Sequence, residues 1–74
     1  MNTYLIPVYD AEDNSVWIEH ITARNFNEAE EKFIEDCIET YNLIDSILSF
    51  DDLIQVMWTR KQINIGDIYD KDEF

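Results

Sequence analysis

The first pattern along the chain has a period of two. From Thr3 to Tyr9, Tyr4, Ile6 and Val8 alternate with Leu5, Pro7 and Tyr9 in a segment dense in strand formers, which predicts a β-strand. Pro7 has no amide hydrogen to give to a ladder, so it predicts either a sheet edge or an unpaired position. The polar stretch Asp10–Ser15 separates this segment from a second run of strand formers, Val16–Thr22. Together they predict an antiparallel hairpin.

At Asn25 the period changes to that of a helix. Asn25 and Glu28 have the spacing of a capping box, in which each side chain satisfies a free backbone amide, so a helix is predicted to begin at Phe26. Phe26, Ala29, Phe33, Cys37, Ile38 and Tyr41 then recur at three- and four-residue steps, an apolar stripe suited to lying on a sheet. Glu28, Glu31, Glu35 and Glu39 recur at the same steps on the other side. Asn42–Leu48 reads as either a helical turn or a packed connector. Ser49 and Asp52 repeat the capping spacing, and Phe50, Leu53, Ile54, Met57 and Trp58 follow at helical steps. A strand competes there, because Ile54, Val56 and Trp58 also alternate with Gln55, Met57 and Thr59; length and cap favour a second helix.

Ile63–Tyr69 predicts a last short strand in which Gly66 marks a bulge or bend, and Asp70–Phe74 predicts a frayed acidic end. The order ββααβ implies a single α+β domain over residues 1–74, a small antiparallel sheet of about three strands with the helices on one face.

Composition supports a folded domain. Of the 74 residues 46% are apolar, among them four Tyr, four Phe and two Trp, residue types that disordered acidic chains lack. Cys37 is the one cysteine, so packing alone must hold a chain whose small size limits the share of surface it can bury. The lone thiol suits a reducing compartment, no apolar run approaches the length of a membrane span, and the N-terminal residues lack a basic start and cleavage site. A cytoplasmic location, with no membrane partner, is the expectation.

Charge changes the picture most. Seventeen acidic residues oppose five basic ones, a formal net charge of -12. Such an excess keeps small proteins apart in solution and also suits a basic partner. Nucleic acid is not expected as a direct partner, because the Lys/Arg patch that neutralises phosphates is missing.

The residues that could carry chemistry are few. His20 and Cys37 would have to meet, or His20 meet a serine, under the orientation of a carboxylate to make a nucleophilic site, and nothing in their spacing supports this. Cys37 on the apolar stripe reads as a small core hydrophobe. Asp10, Glu12 and Asn14 alternate like the opening of a calcium loop, but Ser15 stands where that loop needs glycine and Ile21 where it needs glutamate. The run Asp67, Asp70, Asp72, Glu73 reads as solvated charge. Zinc, with one Cys and one His, is not expected, and a single glycine provides no phosphate loop. No metal, cofactor or catalytic residue is therefore assigned.

What remains is the stripe Glu28, Glu31, Glu35, Glu39, with Glu30 and Asp36 on its flanks and Lys32 as its opposing charge. An ordinary solvent face is one reading. Against it, like charges one turn apart destabilise a helix, and a helical turn of about 5.4 Å is comparable with the spacing of phosphates along a DNA strand. In size, charge, cysteine use and this stripe, the chain resembles the small acidic inhibitors that phages and mobile elements make against host nucleic-acid enzymes, including anti-restriction and anti-CRISPR proteins and inhibitors of DNA glycosylases. The resemblance implies a compact, non-enzymatic DNA mimic that fills a basic groove of a nuclease or other nucleic-acid enzyme in the host cytoplasm, with those six acids as partner contacts. The alternative is a structural or regulatory interaction module, a homodimer whose acidity serves solubility and whose contact draws on Trp17, Tyr4, Tyr9, Trp58 and Phe50. An enzyme using the carboxylates is a third class, without an assembled base, nucleophile or ligand set.

Overall fold

The computed structural model describes residues 1–43 and 47–73. It is α+β in the order expected: β1 (Asn2–Asp10), β2 (Ser15–Ala23), α1 (Phe26–Tyr41), α2 (Phe50–Lys61), β3 (Ile63–Ile65) and β4 (Tyr69–Asp70), closed by a 3-10 turn at Lys71–Glu73. Asp70 ends β4 and Lys71–Glu73 form the 3-10 turn within the end read as frayed. The segment 42–48, for which a helical turn and a packed connector both stood open, includes residues 44–46, which lie outside the described residues; at its ends Leu43 and Ile47 pack against the core.

β1 and β2 pair along their whole length, from Asn2 opposite Ala23 to Asp10 opposite Ser15. The turn between them is tied by Asp10, whose Oδ1 accepts the amides of Glu12 and Asp13 at 2.9 and 3.3 Å. Asn14 takes the left-handed backbone (φ 58°) that Asn tolerates better than most residues, and its Oδ1 accepts the Tyr9 hydroxyl at 2.8 Å.

β1 is the central strand, which corrects the sheet-edge reading of Pro7. β2 occupies one side of β1; β3 pairs Val8–Asp10 and β4 pairs Tyr4–Leu5 on the other. Along an antiparallel strand the N–H and C=O of one residue point the same way. The Pro7 carbonyl accepts the Gly66 amide at 2.8 Å, so the side on which Pro7 lacks a hydrogen faces the break between β3 and β4. The proline sits where the ladder is interrupted, the second of the two alternatives its chemistry allows. The single last strand foreseen over Ile63–Tyr69 is accordingly two short ones, parted by residues 66–68.

Both helices begin as their caps predict. Asn25 Oδ1 accepts the Glu28 amide at 2.9 Å and Ser49 Oγ accepts the Asp52 amide at 3.2 Å. In each case the reciprocal carboxylate reaches the amide one residue before the cap: Glu28 that of Arg24 at 3.3 Å, Asp52 that of Leu48 at 3.2 Å. Asn42 and Gln62, both left-handed, end the helices by giving their amides to Ile38 and to Met57 and Trp58.

α1 lies over β2 and α2 over β3, so the alternate faces of the strands have different fates. Tyr4, Ile6 and Val8 of β1, Ala23 of β2, and Ile63 and Ile65 of β3 are buried against Ala29, Phe33 and Cys37 of α1 and Leu53 and Met57 of α2. The Phe33 and Phe50 rings, 6.0 Å apart, join the two helices, and Tyr4 meets Phe26 edge-on at 6.1 Å. Residues directly opposite in a ladder share a face, so Thr3, Leu5, Pro7 and Tyr9 of β1 stand with Thr22, His20, Ile18 and Val16 of β2, Asn64 of β3 and Tyr69 of β4 on the side away from the helices.

Candidate partner-binding surface

The outward side of α1 is set by the inward side. With Ala29, Phe33 and Cys37 pinned to the sheet, the roughly 100° advance per residue leaves Glu28, Glu31, Glu35 and Glu39 within about 80° of arc on the solvent side, with Asp36 about 60° beyond Glu39. Glu31, Glu35, Asp36 and Glu39 are exposed. Glu30 is at least about 100° from each member of the stripe and is partly buried. The fold therefore gathers the four glutamates of the stripe on the outward side and places Asp36 and Glu30 on opposite flanks, each about 60° from Phe33 at the centre of the buried side.

Glu28 differs from its neighbours. Arg24 Nε lies 2.7 Å from its Oε2 and Lys32 Nζ 3.4 Å from its Oε1. The Arg24 hydrogen bond holds the Glu28 carboxyl below its usual range, and the same pairing raises the Arg24 guanidinium. Among the described residues Glu28 is the one member of the stripe in an ion pair. Its charge is largely spoken for at the helix start, and Glu31, Glu35, Asp36 and Glu39 carry the negative surface. Lys32 also donates to the Thr22 carbonyl at 2.7 Å. The Thr22 carbonyl faces the outer edge of β2, so this bond covers part of that long strand edge.

The remaining candidates are scattered. His20 is exposed on the helix-free face, while Cys37 is buried on the opposite side of the sheet. Burial, reinforced by Asp36 and Glu19, pushes the Cys37 thiol up to about 12, so it stays protonated at neutral pH. Beside it a small cleft between α1 and the sheet is lined by Trp17, Glu19, Asp36 and Tyr41, with the Trp17 indole donating to Glu19 at 2.9 Å. Burial also raises the Tyr41 hydroxyl. The alternation Asp10, Glu12, Asn14 forms the hairpin turn, and among the described residues no group of three or more His, Cys, Asp or Glu is placed to hold a metal ion. No described helix is long and apolar enough to cross a membrane.

The aromatics divide between the two sides. Tyr4 is core, Phe50 and Trp17 pack against it, Trp58 is 45% exposed on α2, and Tyr9 is on the helix-free face. The strand alternation did not reveal how apolar that face is: Val16, Ile18 and Tyr69 are exposed there beside Leu5, Pro7 and Tyr9. The signal that could have found it is the second apolar set in β2, Val16 and Ile18, out of phase with Trp17 and Ile21.

Comparison of the chain with protein-family models, curated proteins and solved structures returns no match.

Proposed function

We propose that this protein is a non-enzymatic acidic inhibitor that presents α1 as a phosphate mimic to the basic nucleic-acid groove of a nuclease or related enzyme, in the manner of phage anti-CRISPR and anti-restriction proteins. One observation carries the reading: Glu31, Glu35 and Glu39 are exposed on the outward side of a single helix, at intervals of one turn. A helix pinned by its apolar side holds such a row in place, so little conformational entropy is lost when it meets fixed cations. The net charge of -12 adds long-range attraction that speeds encounter with a basic groove.

The test is binding to a panel of Cas effectors and restriction enzymes at low and moderate salt. A complex that weakens as salt rises is expected. Replacing Glu31 and Glu35 by lysine makes like charges face each other across the contact, and two such juxtapositions predict a loss of affinity on the order of 100-fold or more. The same change of charge at Glu12 and Asp13, exposed in the hairpin turn, should cost far less. Equal losses in both variants would show that total charge and not α1 mediates binding, and the absence of any salt-sensitive complex would refute the proposal.

A further inference from the structure

The helix-free face of the sheet is where the chain's acidity stops. None of the seventeen Asp and Glu residues occupies its strand positions. Val16 is 72% exposed, Ile18 53% and Tyr69 43%, and Leu5, Pro7 and Tyr9 lie between them. Pro7, Tyr9, Val16 and Asn64 also bound a shallow apolar groove. Scattered exposed apolar residues are ordinary, but a contiguous set covering a sheet face is not.

We propose that this face binds a second copy of the same chain, forming a two-fold dimer of four layers with the sheets inside and the helices outside. Three observations select that occupant. The first is area. The face is nine residues long and three strand columns wide, about 30 by 14 Å or roughly 400 Å², so that two copies would cover on the order of 800 Å² in all, the size of a weak, concentration-dependent contact. The second is charge. Two chains of -12 repel each other and can meet on the acid-free side without stacking carboxylates, whereas a basic partner is steered away from it toward α1. The third concerns the competing way to pair two sheets, edge to edge along β2. Lys32 already occupies the Thr22 carbonyl on that edge. Face-to-face packing of twisted sheets about 10 Å apart does not meet that obstacle.

Sedimentation equilibrium from about 1 µM to 1 mM, at several salt concentrations, tests the proposal; the window spans the micromolar affinities open to an interface of this size. A species of twice 8.9 kDa is expected, more populated as salt rises, because screening removes repulsion between the copies. Ile18→Glu should leave the chain folded by circular dichroism and weaken association at least about 100-fold, since each dimer would then bury two carboxylates. Val16→Thr with Ile18→Thr keeps the β-branched shape and the charge and should weaken association at least tenfold; this pair decides the matter if the glutamate variant does not fold. A chain that stays monomeric to 1 mM, a dimer that weakens with salt, or one indifferent to the threonine pair would overturn the proposal. Salt moves docking through α1 the opposite way, so failure of one proposal is distinguishable from failure of the other.

Discussion

Pro7 and Gly66 are best understood together. Pro7 has no amide hydrogen to give toward the break between β3 and β4, and Gly66 gives its own amide to the Pro7 carbonyl there. A Cβ on Gly66 would stand 2.6 Å from Pro7 Cγ and 3.4 Å from its carbonyl oxygen. The glycine is therefore needed for close approach, its φ being negative. Two effects of Gly66→Ala compete: about 0.4–1 kcal/mol gained by restricting the unfolded chain, and about 1–3 kcal/mol lost by forcing a methyl into a filled space. The clash is the larger, since both the ring and the backbone of a central strand resist displacement. Urea unfolding should show a net loss of about 1–2 kcal/mol; an unchanged or higher midpoint would mean that the ring yields.

At the scale of elements, the helices repeat one device. A short polar cap accepts the amide three residues on, and a carboxylate reaches back past the cap, so the entering chain is fixed from both sides. Asp51 and Asp52 in the first turn and Arg60 and Lys61 in the last suit the dipole of α2, whereas α1 ends without a basic residue. α1 carries its like charges at a cost. Glu35 lies between Glu31 and Glu39, each four residues away, so Glu35→Lys turns two repulsions into two attractions, against one new repulsion with Lys32 three residues before it, and should stabilise the domain by about 0.2–0.5 kcal/mol at low salt. The melting temperature would record it. A drop on this substitution would mean that Glu35 makes a favourable contact that charge reversal destroys.

For the whole molecule the balance lies between repulsion spread over the fold and a few exposed ion pairs. The radius of gyration is 12.0 Å. Raising the salt from 0.01 to 0.1 M shortens the Debye length from about 30 Å, longer than the molecule's radius, to about 10 Å, shorter than it. Screening over that interval removes repulsion across the domain. The exposed pairs Arg24–Glu28 and Lys32–Glu28 weaken as well, but pairs so open to solvent contribute little. Stability should rise with salt, read as an upward shift in melting temperature at a protein concentration low enough to hold the association state constant. A downward shift would show that specific pairs outweigh the repulsion.

Local regularities were legible in the sequence because they are written at short range. A period of two, a period near 3.6 and two caps at three-residue spacing identified the hairpin, both helices and the side of α1 that Ala29, Phe33 and Cys37 bury. The helix over Phe50–Lys61 was separable from a strand because Ser49 and Asp52 satisfy backbone amides that only a helix start leaves free. Glu31, Glu35 and Glu39 could be grouped for the same reason, since helical geometry alone brings them together. Glu30 could be placed by the same rotation, but Glu28 lost its free charge to Arg24, which lies before the helix and was invisible to its periodicity. Long-range pairing decided the rest. That β1 is central, that Pro7 meets a break in the third column, and that Leu5, Ile18 and Tyr69 share an acid-free face all depend on which strands lie side by side and in what register. Those choices come from burying Tyr4, Ile6, Val8, Ile63 and Ile65 under both helices at once, a condition on the packed whole that no single segment carries.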